Sequence, residues 1–171
     1  PGTLAPDVRK AAIEGNVAEL RRLRAGEAGG APVDATDSNG CTALHWAARE
    51  GRLEAVQYLL QRGASVDVPT KYKWTALHYA AQNGRAAVAR ELVLHGADPR
   101  LTNTYGRTPL QWAKIEGHGA AIGAAIEEGK KEIHFAKQRL ALMTSYLPGN
   151  DASPVNRTST DVLQTVAGEI K

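Results

Sequence analysis

Apolar positions in this chain fall in short bursts, each the size of one amphipathic helix. Leu44, Ala47 and Ala48 share one helical face, and Val56, Leu59 and Leu60 share the next. Gly51 separates the two bursts, and Gly63 follows the second, where a helix C-terminus favours a left-handed residue. The pattern then recurs. Thr75-Ala76-Leu77-His78-Tyr79-Ala80-Ala81 matches Thr42-Ala43-Leu44-His45-Trp46-Ala47-Ala48, and Thr108-Pro109-Leu110-Gln111-Trp112-Ala113-Lys114 follows. The threonines at 42, 75 and 108 stand 33 residues apart, as do Gly51, Gly84 and Gly117, and Gly63 and Gly96. A fixed period of this size predicts stacked helix–turn–helix units. Each unit is too thin to bury its own apolar face and forms the wall of the next.

The flanking segments carry weaker versions of the pattern. Val8, Ala11, Ala12 and Ile13 predict a helix capped by Asp7 or Thr3; Gly15-Asn16 breaks it, and Val17, Leu20 and Leu23 begin a second. This is a degenerate first repeat over about 6–36, atypical because one face of a terminal repeat meets water; Arg9, Arg21, Arg22 and Arg24 suit that face. Gly15 to Gly51 is 36 residues, so a small insertion is expected in the turn-rich stretch Gly26 to Pro32. Regular units follow at about 37–69, 70–102 and 103–128. In the last, Lys114 replaces an alanine, and Gly119, Ala120, Ala121, Gly123, Ala124 and Ala125 predict a thin second helix. Ile133, Ala136, Leu140, Met143 and Leu147 then predict a separate amphipathic helix over 130–147, its face widened by Phe135, Leu142 and Tyr146. Lys130, Lys131, Lys137 and Arg139 lie opposite or beside that face, and Pro148-Gly149 stops the helix. Residues 148–171 have the Ser-, Thr-, Pro- and Asn-rich composition of a disordered tail, with Val162, Leu163, Val166 and Ile170 on a short turn that Thr160 can cap.

The repeated units resemble the ankyrin repeat family. Gly40-Cys41-Thr42-Ala43-Leu44-His45 with Gly51 and Gly63-Ala64 carries the likeness, then Thr75-Ala76-Leu77-His78 with Gly84 and Gly96-Ala97-Asp98, then Gly106-Arg107-Thr108-Pro109-Leu110 with Gly117-His118. The resemblance covers about residues 6–129. It implies an all-α ankyrin repeat solenoid of about four helix-turn-helix repeats over 1–129; the additional C-terminal helix over 130–147 and the extended tail over 148–171, read from spacing and composition, follow it. It also implies that His45 and His78 hydrogen-bond loop backbone of an adjacent repeat. Trp46, Tyr79 and Trp112 fall in register at a commonly hydrophobic position, which favours an inter-repeat aromatic stack over a ligand platform. Besides Lys114, Thr70 and Lys73 depart from the pattern, standing where the family has Asp and Gly.

Composition narrows the chemistry. Aromatics are 5% of the chain against 43% hydrophobics, so alanine and leucine must do most of the packing. A net charge of +3 permits an acidic partner without demanding nucleic acid. The single cysteine, Cys41, cannot form an internal disulfide, which points to a reducing intracellular compartment, the cytoplasm first. The chain starts Pro1-Gly2 rather than with Met; a removed transit peptide would have taken an organelle address with it. No apolar run approaches the roughly 20 residues of a membrane span. The five histidines show no metal-ligand spacing, the glycines fall at repeat turns rather than in a phosphate loop, and no nucleophile has an evident base. Cys41 is expected to be a small exposed turn residue, and the Asn156-Arg157-Thr158 sequon a chance match. No cofactor, metal or catalytic role is expected.

In ankyrin arrays the turn tips and the exposed ends of the first helices line a concave groove. Carried over by position, those residues are Ser38, Asn39, Cys41, Arg49 and Glu50; then Lys71, Tyr72, Lys73, Trp74, Gln82 and Asn83; then Thr104, Tyr105, Arg107, Ile115 and Glu116. The central cluster joins aromatic to basic residues, the types that dominate interface energetics. Lys71, Lys73 and Arg107 favour an acidic protein surface. The expected function is a protein–protein interaction module: adaptor, scaffold or accessory subunit. Two rivals are a regulatory ankyrin domain of a larger enzyme and single-stranded nucleic-acid binding through Lys71, Tyr72, Lys73, Trp74 and Arg107, which Glu50 and Glu116 on the same face oppose. The face of Ile133, Phe135, Leu140, Leu142, Met143, Tyr146 and Leu147 is too apolar to stay in water. One side is expected to pack on repeat four; the other, with the tail, is expected to meet a partner chain.

Overall fold

The computed structural model describes residues 2–25 and 32–145. Among them are eight helices: α1 (Pro6–Glu14), α2 (Val17–Ala25), α3 (Ala43–Glu50), α4 (Leu53–Gln61), α5 (Ala76–Gln82), α6 (Ala86–Leu94), α7 (Pro109–Ile115) and α8 (Gly119–Ser145). They pair as four helical hairpins. First helices stack α1 on α3, α3 on α5 and α5 on α7; second helices stack α2 on α4 and α4 on α6. The only strand-like pairing among the described residues is one isolated parallel bridge between Thr3 and Thr36. The described residues up to Ala136 form one compact unit that holds the array, and those from Lys137 belong to a second.

The Thr-x-x-His signature starts the helices. The Thr42 backbone N–H donates to His45 Nδ1 at 2.9 Å, and the Thr75 N–H to His78 Nδ1 at 3.2 Å. This reciprocal cap satisfies backbone donors that a helix start leaves without intrahelical partners. In the fourth repeat Gln111 takes the same place, its Oε1 accepting from the Thr108 N–H at 2.8 Å. Helix α1 starts differently from expectation. Its cap position is Ala5, with Pro6 just inside, and neither Asp7 nor Thr3 caps it. Proline's fixed φ already suits the first helical position and no donor is lost there.

The core is a row of leucines between alanine-faced helices. Leu20, Leu44, Leu59, Leu77, Leu92 and Ile122 are fully buried, and Ala47, Ala48, Ala80, Ala81 and Ala113 have no exposed surface. Such small side chains let the first helices approach closely, which is how a chain poor in aromatics fills its interior.

The C-terminal region corrects the expected boundary near residue 129. Helix α8 runs unbroken from Gly119 to Ser145, so the second helix of repeat four and the predicted helix over 130–147 are one element. Gly129 is buried within it, and a Cβ there would lie 2.9 Å from Val93 Cγ1 and 3.2 Å from the Arg90 carbonyl oxygen. The glycine marks a close approach to α6, not an end. Arg90 pairs with Glu132 and, at 4.0 Å, with Glu128 on either side of that contact. Ile133 is half-buried against the core, whereas Phe135, Leu140, Leu142 and Met143 are exposed. Within the array, then, Ile133 is the member of this face that packs on the core; no turn interrupts α8, and Ala120, Ala121 and Ala124 are exposed. The expected insertion at Gly26 to Pro32 lies almost wholly outside the described residues, as do Tyr146, Leu147 and the tail over 148–171.

Candidate functional site

Three turns project from the first-helix layer, at 37–41, 70–74 and 103–107. Each is closed by the side chain of its first residue. Asp37 Oδ1 accepts from the Asn39 and Cys41 N–H groups at 2.8 and 3.0 Å; Asn103 Oδ1 accepts from Tyr105 and Arg107 at 3.0 and 3.2 Å. Thr70 stands in for the acid with one bond, Oγ1 accepting from the Trp74 N–H at 3.1 Å. Backbone bonds tie the turns together, from the Lys71 N–H to the Asn39 carbonyl (3.1 Å) and from the Thr104 N–H to the Tyr72 carbonyl (3.0 Å).

The middle turn holds a strained residue. Lys73 has φ 56°, the only positive φ at a non-glycine among the described residues, where the sister turns place Gly40 (φ 80°) and Gly106 (φ 68°). A left-handed conformation costs a residue with a Cβ roughly 1–2 kcal/mol. Lys71 and Lys73 are exposed, and Tyr72 is 60% exposed between them; Tyr105 is 67% exposed on the next turn.

Trp74 departs from its expected place. It is only 9% exposed and packs on Tyr79 (centroids 5.1 Å), His78 (5.8 Å) and Trp112 (5.2 Å). The aromatic row thus runs from Tyr79 through Trp74 to Trp112. Trp74 is a wedge between repeats, which withdraws it from any partner. Cys41 is likewise corrected from exposed to buried, with Sγ 3.7 Å from the Tyr79 hydroxyl oxygen. Burial pushes its thiol up and that of the Tyr79 phenol further up, so neither ionises near neutral pH.

Cations gather over the outer aromatics. The Arg107 guanidinium lies 5.0 Å from the Trp112 ring; Arg49 and Arg9 lie 5.5 and 5.8 Å from Trp46. Arg49, Arg107 and Ile115 are exposed, while Glu50, Gln82 and Asn83 are half-buried, with Asn83 Nδ2 donating to the Tyr79 carbonyl. Of the acids nearby, Asp37 is occupied by the Trp46 indole N–H at 3.1 Å and Glu50 sits 3.8 Å from Arg49. The repeat-four counterparts lack that indole bond: Asn103 Nδ2 and Trp112 Nε1 are both donors, both buried, and neither has a partner. Sequence reasoning missed Arg9, which joins from the degenerate repeat. It also missed an opening of about 170 Å³ lined by Asn39, Cys41, His45, Trp46, Arg49, Tyr72 and Tyr79. The signal for the opening was present in the register column Cys41, Trp74, Arg107, where a small residue alternates with large ones.

His45 and His78 are structural. With Nδ1 accepting from threonine, Nε2 carries the proton and donates to the next turn: His45 to the Val68 carbonyl at 2.9 Å and His78 to the Arg107 carbonyl at 3.1 Å. Burial lowers His45 to about 4 and depresses His78, so both rings stay neutral as this geometry requires. Among the described residues no group of three His, Cys, Asp or Glu could hold a metal ion, and no helix is long and apolar enough to cross a membrane. Phe135 and Leu142 are exposed on α8.

Comparison with known proteins agrees with this architecture. The family profile described as "Ankyrin repeats (3 copies)" matches residues 9–103, with further matches over 54–134 and 77–152. Palmitoyltransferase AKR1 of Yarrowia lipolytica is 47% identical over 53 residues, which is 31% of this chain but only 7% of that protein's length. Ankyrin repeats are protein-interaction modules. Stacked helical hairpins at a 33-residue period, neutral capping histidines and a profile match across most of the sequence place this chain in the ankyrin repeat family.

Proposed function

We propose that the chain is an adaptor or accessory subunit that binds an acidic surface of another protein along its turn tips. Lys71, Tyr72, Lys73, Tyr105, Arg107 and Arg49 are the contact residues. The observation that carries this reading is Lys73, a lysine held in a strained conformation at an exposed tip where both sister turns use glycine. Strain of this kind clusters where a side chain has work beyond the fold. Exposed Tyr72 and Tyr105 supply large contact area, and the surrounding cations speed encounter with an acidic partner. In this reading the module works in a reducing intracellular compartment, where the free Cys41 thiol persists.

Affinity capture with mass spectrometry identifies the partner, and Lys71→Glu with Lys73→Glu tests the surface. We expect the reversed chain to keep its helicity and to lose the partner at least tenfold, with the loss shrinking at high salt. Capture at wild-type strength by the double variant would remove the tip surface from the account. The 53-residue match within a palmitoyltransferase favours a second reading, in which the array is a regulatory domain of a larger enzyme. Nucleic acid is disfavoured because Trp74 is buried and cannot stack on bases. A titration of single-stranded DNA at low salt that gave tight, steeply salt-dependent binding would reverse that judgement.

A further inference from the structure

The spaces between neighbouring turns are built on one register and filled differently. Trp74 occupies the space between Tyr79 and Trp112, in contact with both rings. One period earlier the corresponding residues are Cys41, Trp46 and Tyr79. There a thiol replaces the indole, and the opening lined by Trp46, Tyr79, Tyr72, Cys41, Asn39 and Arg49 remains. At about 170 Å³ it is far larger than the roughly 10–15 Å³ that one water needs, and smaller than the roughly 300–1,000 Å³ of a cofactor site. Its size suits one side chain.

We propose that this opening receives one aromatic side chain from an acidic segment of the partner protein, which takes the place that Trp74 fills in the next repeat. The proposal rests on the protein-recognition reading above and assigns it an anchor. The floor is the buried Cys41, already engaged with the Tyr79 hydroxyl, so it offers apolar contact rather than an unmet polar group. Trp46 and Tyr79 correspond by register to the Tyr79 and Trp112 rings that clasp Trp74. Arg49, held over Trp46, and the Asn39 amide stand at the rim, and Lys71 and Lys73 follow on the next turn. A ring flanked by Asp or Glu therefore meets an apolar slot bordered by cations. Desolvated aromatic anchors in such pockets carry most of an interface's energy.

The test uses the full chain and four synthetic acidic pentapeptides, identical except for Trp, Phe, Leu or Ala at the centre. NMR follows the Trp46 indole N–H resonance. We expect the Trp peptide to shift that resonance and to bind about tenfold or more tightly than the Ala peptide. The Phe peptide should fall between them. Equal binding of Trp and Ala peptides, or of Trp and Leu peptides, would overturn the proposal. Cys41→Trp plugs the slot with the residue that the next repeat uses. It should keep or raise the melting temperature and abolish the difference between the Trp and Ala peptides. Persistence of that difference in a folded Cys41→Trp chain would also overturn it. Should Cys41→Trp fail to fold, Cys41→Phe and the wild-type indole shift decide the matter. The Lys71→Glu, Lys73→Glu chain separates the two readings: loss of all peptide binding there with no Trp preference in wild type supports the tip surface without the anchor. A retained Trp preference on the charge-reversed chain supports the anchor without the tips.

Discussion

Between turns 37–41 and 70–74 the chain places Cys41; between turns 70–74 and 103–107 it places Trp74. The backbone of the two gaps is alike, since Lys71 N–H to Asn39 and Thr104 N–H to Tyr72 are the same bond one period apart. The contents are not. One gap is closed by an indole wedged between Tyr79 and Trp112; the other stays open under Tyr72 and Arg49. In a repeat array, then, the period sets where the backbone goes, and the residue in a single column decides whether a site becomes core or surface.

The change that should break both gaps at once is Leu77→Asp. Leu77 is fully buried in α5, which packs on α3 on one side and α7 on the other. An unpaired buried carboxylate costs several kcal/mol, comparable to much of a domain's roughly 5–15 kcal/mol. We expect loss of the cooperative melting transition by circular dichroism. Trp74→Ala opens the second gap alone and should destabilise by about 3–5 kcal/mol, read as a lower urea midpoint. That variant is unsuited to testing recognition, because its main effect is on packing.

Acid should also separate the repeats. His45 sits near 4 in the fold against an ordinary value of about 6.5, lowered by burial. The unfolded chain binds this proton first, so the contribution is intact above about pH 6.5, fades as pH falls toward 4, and is gone below it. Its size is about 3 kcal/mol. Gln111 already makes the same cap without titrating. His45→Gln should therefore flatten the fall of the urea midpoint between pH 7 and pH 4, and an unchanged slope would place the acid sensitivity elsewhere. A smaller effect, about 1–2 kcal/mol of added stability, is expected of Asn103→Asp. It gives Trp112 Nε1 the acceptor that Asp37 gives Trp46, and a melting temperature that does not rise would show that the two indoles are not equivalent.

The period, the capping residues and the buried leucines were legible because each rests on local rules. Thr-x-x-His caps, glycines keep the beat, and alanine pairs face inward wherever they recur. Trp74 and Cys41 were misplaced because burial at a turn depends on the neighbouring turn, which no local pattern describes. The boundary near 129 was not legible either, because Gly129 lets α8 approach Val93 and the Arg90 carbonyl, and Val93 lies 36 residues away in sequence. Arg9 is exposed, as its place on a terminal repeat implies, but its seat over Trp46 depends on how α1 stacks on α3.

The smallest expected change in stability sharpens the comparison at the tip that the two gaps share. Lys73→Gly relieves the left-handed strain that Gly40 and Gly106 avoid, and removes a cation from the proposed surface. Relief at φ 56° favours the fold, whereas the freer unfolded chain that glycine brings opposes it by about 0.4–1 kcal/mol. Against a strain of roughly 1–2 kcal/mol, the net gain should lie between about 0 and about 1.5 kcal/mol, a small rise in urea midpoint. Partner affinity should move the other way and fall severalfold. Lys73→Ala serves as the control, because it removes the charge while keeping a Cβ and its strain: affinity should fall as far, with no gain in stability. A glycine variant that is more stable and binds as well as wild type would mean that the lysine at this position has no part in recognition.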